Sequence, residues 1–274
     1  MLNVRKIADI IEKEIPLSLQ EEWDNSGLLI GFEDKPVKTI LTCLEIDKNV
    51  LDEAAAIGAE MIITHHPLIF QGVKRLTDQD YKASLIMEII ERGISVYSCH
   101  TPFDKVKGGN NDIILEKLGV SSVKNLRGQE VASAAKMAER RDEADIGRIG
   151  EFKTPMSYRQ VIQLAANKLE MSIRQLRAIG ALDTEITKVG ICTGAGADLA
   201  VMAAEAGCQL FITGDVKYHE ALDALHDGMC ILDAGHYGTE KFFGEEMKKL
   251  LDKKSDKDIQ VTASKVSLDP FEIM

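Results

Sequence analysis

The sequence predicts an α/β protein built of two similar three-layer domains, and three observations predict it. Apolar, β-branched runs of strand length alternate with helical stripes, this alternation is interrupted once near the middle of the chain, and the two halves resemble each other. Ala54 to Thr64 and Ala203 to Thr213 align without a gap, with the residues at Ala54, Ala55, Gly58, Ile63 and Thr64 recurring. The next strand-like runs, Gly93 to Tyr97 and Gly228 to Leu232, align in the same order. Repetition on this scale suggests an internal pseudo-duplication.

Val4, Ile7, Ile10 and Ile11 form one stripe over Val4 to Glu14, a helix that ends before Pro16. A polar loop from Glu21 follows, holding the only tryptophan, Trp23, and leads into an apolar strand that ends at Gly31. A lone tryptophan is more often a core residue than a contact residue. Thr39 to Leu44 reads as strand, Lys48 to Ile57 as helix, Met61 to Thr64 as strand, Tyr81 to Arg92 as helix, Ile94 to Ser98 as strand and Asn111 to Leu118 as helix. Such alternation predicts a parallel sheet. From Ser121 to Glu151 the pattern weakens, and the charge cluster Glu139-Arg-Arg-Asp-Glu143 reads as a solvated loop or short helix.

The second half runs helix Ser157 to Lys168, strand Lys188 to Cys192, helix Ala197 to Glu205, strand Gln209 to Ile212, helix Lys217 to Leu225 and strand Met229 to Leu232. An amphipathic helix over Thr239 to Leu251 precedes the strand-like Ile259 to Val266, which is expected to return to the first sheet. With the junction near Val120, the first domain comprises residues 1–120 plus 241–274 and the second residues 121–240.

The 274 residues are 45% hydrophobic and 5% aromatic, enough for a sizeable core. No apolar run approaches the ~20 residues that span a bilayer, and Met-Leu-Asn-Val-Arg-Lys at the start lacks a signal-peptide plan, so a cytoplasmic protein without a membrane partner is expected. Cys43, Cys99, Cys192, Cys208 and Cys230 are odd in number and include no Cys-x-x-Cys, which argues against a disulfide framework and for buried small hydrophobes. A formal charge of -11 with dispersed basic residues disfavours nucleic acid as a partner. A small anionic ligand remains compatible with it, because local divalent cations outweigh a distant negative surface.

Three strand-like runs end in histidine. Met61 to Thr64 delivers His65 and His66; Ile94 to Cys99 delivers His100, with Asp104 four residues on; Met229 to Gly235 delivers His236, with Glu240 four residues on. Residues at the carboxyl ends of strands converge on one crevice, so these imidazoles and carboxylates are candidate ligands. Neighbours on an extended chain point to opposite sides, so His65 and His66 are expected to serve two neighbouring ions rather than grip one. Imidazole and carboxylate ligands without thiolate suit zinc, manganese, iron or similar ions. Two such ions would activate a bridging water and clamp a charged substrate, so hydrolytic chemistry follows.

Other motifs carry less. Thr193-Gly-Ala-Gly-Ala-Asp198 follows a strand and opens a helix, but Leu199 stands where the third glycine of a dinucleotide fingerprint belongs, so a tight turn is the better reading. Lys107-Gly-Gly-Asn-Asn-Asp112 lacks a Walker arrangement and caps the next helix. Cys99 beside His100 lacks a third partner for nucleophilic catalysis. His219, at the start of a helix, is either a general acid or base or a surface histidine; His226 reads as an exposed helix-end residue.

Trp23-Asp-Asn-Ser-Gly-Leu28, Thr64-His-His-Pro-Leu-Ile-Phe70, His100-Thr-Pro-Phe-Asp104, Gly214-Asp-Val-Lys-Tyr-His219 and Asp233-Ala-Gly-His-Tyr-Gly-Thr-Glu240 resemble, in order, the motifs of the Nif3-like dinuclear metal centre family, whose members are labelled type 2 homologues of GTP cyclohydrolase I. The resemblance spans the chain. It implies two α/β domains with a two-metal site between them and a ring-like homohexamer. It also implies His65, His66, Asp104, His236 and Glu240 as metal ligands, with Glu240 as a bridge. His100 is a further ligand or a residue behind one. Trp23, Asp24, Asn25 and Lys217 are substrate-contact candidates, and His219 is the catalytic candidate. Ser26 stands where the family usually has Val, Pro102-Phe103 replaces Asn-Leu, and the region between Val120 and Ser157 has no room for the extra domain of longer members. The implied activity is hydrolysis of the guanine ring of GTP with release of formate. The alternative is a non-catalytic metal-binding or scaffold protein that handles metal or engages a protein partner.

Overall fold

The computed structural model describes residues 2–139, 145–255 and 259–273, so the cluster Arg140 to Glu143 lies outside the described residues. The strands are β1 (Gly27–Ile30), β2 (Thr39–Cys43), β3 (Met61–Thr64), β4 (Ser95–Ser98), β5 (Val120–Asn125), β6 (Arg148–Ser157), β7 (Arg177–Ile179), β8 (Glu185–Ile191), β9 (Leu210–Thr213), β10 (Cys230–Asp233) and β11 (Gln260–Ala263). The helices are α1 (Val4–Glu14), α2 (Lys48–Ala56), α3 (Tyr81–Glu91), α4 (Thr101–Lys105), α5 (Asn110–Lys117), α6 (Ala134–Glu139), α7 (Tyr158–Lys168), α8 (Ala200–Glu205), α9 (Tyr218–His226), α10 (His236–Glu240) and α11 (Phe243–Lys254). No helix among the described residues is long and apolar enough to cross a membrane.

Contacts divide the chain into two units, residues 1–103 with 242–268 and residues 104–241 with 269–274. The division falls at Phe103 instead of near Val120. The physical reason is that Val120 opens β5, which pairs with β6, while α5 packs on β5 and β6.

In the first unit the sheet order is β1-β4-β3-β2-β11. Four strands are parallel, and β11 pairs with β2 in the register Val261 to Ile40, so the last strand returns to the first sheet as the sequence predicts. The sheet is mixed and not wholly parallel, because β1 runs antiparallel to β4. Leu41, Cys43, Ile62 and Val96 point to one face and pack with Val50, Leu51 and Ala54 of α2 and Leu85, Ile86 and Ile89 of α3. The alternate residues face the other way: Tyr97 reaches Glu12 of α1, and Thr42 donates to the carbonyl of Gly244 on α11. Period-two side-chain alternation thus makes three layers, with helices on both faces.

The second unit has the order β5-β6-β8-β9-β10-β7. Only β8, β9 and β10 are parallel; β5, β6 and β7 are antiparallel additions. β5, β6 and β7 fall where the sequence pattern is weak. Half-exposed strands such as β5, and the three residues of β7, are too short or too polar to show a period. Ser157 caps α7 with a reciprocal capping box to Gln160, worth about 1 kcal/mol. The expected helix over Thr239 to Leu251 is two helices, α10 and α11, with Lys241 and Phe242 between them.

The internal repetition is visible in connectivity. Each unit contains a helix, a strand that lies antiparallel at the far side, then strand-helix-strand-helix-strand: α1-β1-β2-α2-β3-α3-β4 and α7-β7-β8-α8-β9-α9-β10. A histidine and a short helix follow the last strand in both, His100 with α4 and His236 with α10.

Candidate metal centre

In the first unit, β3 stops at Thr64 and the histidine pair lies in the bend beyond it. The bend is tied on both sides: His65 N–H donates to Cys43 O at 3.2 Å, His66 N–H to Leu44 O at 2.9 Å, and Ser98 Oγ to His65 O at 2.9 Å. Because these residues have left the strand, the alternation that would separate their side chains no longer applies. Their ring centroids are 5.1 Å apart, and His65, His66 and His100 each offer a ring nitrogen within 4.8 Å of the others. All three could contact one ion.

Each imidazole in the unit is held by its Nδ1 side. His65, fully buried against Phe243 and Phe103, has Nδ1 2.9 Å from the carbonyl of Cys99, which can only accept; this fixes the proton on Nδ1 and leaves Nε2 as the ligand atom. His66 Nδ1 lies 3.5 Å from Glu45 Oε2. His100 Nδ1 lies 2.8 Å from Asp24 Oδ1.

Asp24 is buried, and its carboxylate accepts from Asn25 N–H, Ser26 Oγ, Thr101 N–H and Thr101 Oγ1 as well as facing His100. Burial alone would raise its pKa. The hydrogen bonds of His100 and Thr101, the His100 charge and the Asn25 amide oppose it and hold the group at about 2. Asp24 thus ties the Nδ1 side of His100 to Thr101 of α4. Asn25 Nδ2 donates to Ile69 O. Trp23, by contrast, is 57% exposed, contrary to the expectation of a core tryptophan, and meets His100 edge-on at 5.9 Å and Phe70 at 6.1 Å.

The second unit carries the carboxylates. Asp104 and Glu240 are buried, with ligand oxygens within 4.8 Å of each other. Asn110 Nδ2 donates to Asp104 Oδ1 at 2.8 Å, and Asn111 Nδ2 to its carbonyl at 3.1 Å. His236 follows Gly235, whose φ of 71° turns the chain out of β10 into α10. Its Nε2 lies 3.1 Å from Glu240 Oε2, and its Nδ1 lies 2.8 Å from Asp215 Oδ2. Asp215 itself sits at φ 53°, a left-handed conformation that aspartate tolerates better than most residues.

Backbone close approach completes this arrangement. A Cβ on Gly194 would come within 2.4 Å of Glu240 Oε1 and 3.3 Å of His236 Nε2, and one on Gly214 within 2.6 Å of Gly194 O and His236 N. In the loop Thr193 to Asp198 three amides are taken: Thr193 N–H donates to Asn111 Oδ1, Gly194 N–H to Thr239 Oγ1 and Gly196 N–H to Thr213 Oγ1.

Lys217 stands at the cap position just before α9, with its side chain exposed and paired to Glu220 at 3.3 Å. His219 is exposed on the same helix with its ring 5.3 Å from Tyr218, and His226 is exposed near Asp227. The contacts of Asp215, Glu45 and Asn110 with the candidate ligands carry no sequence signal. Asp215 lies in the stretch Gly214 to His219, yet nothing in its spacing points it at a histidine of another loop. His65, His100 and His236, each with an oxygen hydrogen-bonded at Nδ1, show the pattern in which neighbouring acceptors orient metal-binding imidazoles. The donor set fits divalent transition metals.

A sequence profile described as Duf34/NIF3 (NGG1p interacting factor 3) matches residues 2–270. A Clostridium perfringens protein described as GTP cyclohydrolase 1 type 2 homolog is 34% identical over 273 residues, covering 100% of both chains. The Drosophila melanogaster NIF3-like protein 1 is 32% identical, covering 97% of this chain and 89% of its own. Among solved structures, a Bacillus cereus protein related to NIF3 superposes with a TM-score of 0.89 at 25% identity and covers 99% of both chains. A Staphylococcus aureus protein gives 0.86 at 27% identity, over 100% of this chain and 99% of its own.

Proposed function

From the premise that this chain belongs to the Duf34/NIF3 family, we propose that it is a metal-dependent hydrolase holding two divalent ions through His65, His66, Asp104, His236 and Glu240. The single observation that supports this best is the shared treatment of the histidines: His65, His100 and His236 each have Nδ1 within 2.9 Å of an oxygen acceptor, which turns Nε2 outward as the ligand atom. His100 is proposed as a further ligand or as a residue behind one. Zinc, manganese and iron are all compatible with a mixed imidazole and carboxylate set.

Bound there, such ions would supply Lewis acidity for hydrolysis. The chain's own residues do the rest. Asp24 and Asp215 orient His100 and His236, Asn110 holds Asp104 Oδ1, and Gly194 leaves the space that Glu240 occupies. The substrate class proposed is a purine nucleotide, with opening of the guanine ring of GTP and release of formate as the reaction. His219 is proposed as its general acid or base and Lys217 as a contact for substrate charge. A homohexamer is proposed as the working assembly, so light scattering should report about six times 30.2 kDa, and a monomer at micromolar concentration would refute it.

The test is elemental analysis after reconstitution with zinc or manganese, paired with an assay for formate released from GTP. Two equivalents of metal and formate formation support the full proposal. Metal content that stays near zero removes it. Two equivalents without formate assign the chain to the non-catalytic, metal-handling alternative.

A further inference from the structure

Beside His236 the second unit holds a cavity of about 460 Å³, within the size range of small-molecule sites. The loop from Asp233 to Gly238 contributes one wall, with His236 in it; Met171, Arg174, Gln175 and Arg177 contribute another, and Asp269 to Ile273 of the chain's last stretch a third. Gln175 Nε2 ties the last stretch to the neighbouring wall by donating to Asp269 Oδ2 at 3.2 Å, and Phe271 N–H turns the stretch on itself by donating to Asp269 Oδ1 at 3.1 Å. It also exposes apolar surface: Phe271 is 73% exposed and Ile273 46%. A ligand in the cavity would cover part of both, which is favourable.

The charges lining the cavity sort by what they already hold. Arg177 is paired with Asp233, Asp215 with His236, and Asp269 with Gln175 and the Phe271 amide. Asp233 also accepts from the Val216 and Gly235 amides. Arg174 has no ion pair among the described residues, and its guanidinium is therefore the cation available to a ligand. Glu272 is exposed at the rim. A guanidinium recognises carboxylate or phosphate through paired hydrogen bonds and stacks on flat rings.

We propose that this cavity receives a small aromatic molecule carrying an anionic group, with the anion on Arg174 and the ring against Phe271. Only the orientation rests on the metal-dependent reading above: the reacting edge faces His236.

Titration calorimetry of the 274-residue chain with guanosine monophosphate, guanosine and inorganic phosphate tests it, with metal content measured on every variant. The monophosphate should bind. Arg174→Ala should weaken it at least tenfold and leave guanosine unchanged, Phe271→Ala should weaken both several-fold, Glu272→Gln should weaken neither, and metal content should not move. Failure of the monophosphate to bind, or equal binding by Arg174→Ala, overturns the assignment; so does loss of binding in Glu272→Gln alone, which marks a cationic ligand. Binding that depends on Arg174 without formate release leaves the cavity in place and removes the hydrolase reading. Formate release unaffected by Arg174→Ala and Phe271→Ala removes the cavity as the substrate site.

Discussion

Asp215 Oδ2 lies 2.8 Å from His236 Nδ1, and Asp215 adopts a φ of 53° to put it there. Backbone conformations of this kind cost about 1 to 3 kcal/mol in non-glycine residues and persist where surrounding structure enforces them. Asp215→Asn keeps the tolerance for that conformation and replaces the charged acceptor by a neutral one. We expect it to weaken metal binding, and Asp215→Ala to weaken it about 10- to 100-fold, with an unchanged circular dichroism spectrum. Titration against a competing chelator measures this; wild-type affinity in Asp215→Ala would remove the orienting role.

Glu240 and His219 should separate cleanly. If Glu240 bridges two ions, Glu240→Ala leaves cationic repulsion less compensated and both ions should be lost together. His219 is exposed on α9, and His219→Ala should retain them. If His219 is a general acid or base, its loss lowers turnover by roughly 10²- to 10⁴-fold. Metal loss in His219→Ala would instead identify a ligand, and unchanged turnover a surface histidine.

Gly194→Ala tests the space around Glu240. At φ 70° a side chain is strained, and its Cβ would meet Glu240 Oε1 at 2.4 Å. The variant should lose about 1 to 3 kcal/mol of stability in urea unfolding and bind metal more weakly. Gly207→Ala, with φ 83° but nothing near its Cβ, is the control: it should show the backbone cost without the metal defect.

Alkaline pH should destabilise the fold through its buried thiols. Desolvation raises the Cys208 pKa from its ordinary 9.0 to about 11, with Lys188 opposing and Glu151 assisting. The folded state therefore holds a proton that the unfolded state releases. The stability contributed is complete below pH 9 and is lost as pH rises toward about 11. Unfolding free energies measured across that window should fall less steeply in Cys208→Ala. An identical slope would show that Cys208 does not contribute.

The alternation of elements was legible because apolar runs such as Met61 to Thr64 must be buried, and their ends must be loops. The sequence thereby determined that His65, His66, His100 and His236 stand at strand mouths, and the second occurrence of the same pattern was already visible in Ala203 to Thr213. It did not determine β5 or β7, whose residues are half exposed and carry no clear period. Nor could it decide how near the rings of His65 and His66 lie, 5.1 Å between centroids, since that depends on the bend held by Cys43, Leu44 and Ser98. The partners of the imidazoles were likewise a tertiary matter: Asp24 reaches His100 and Asp215 reaches His236 from other loops. Hydrophobic periodicity records burial along one segment, whereas a hydrogen bond between segments depends on where the fold brings their ends together.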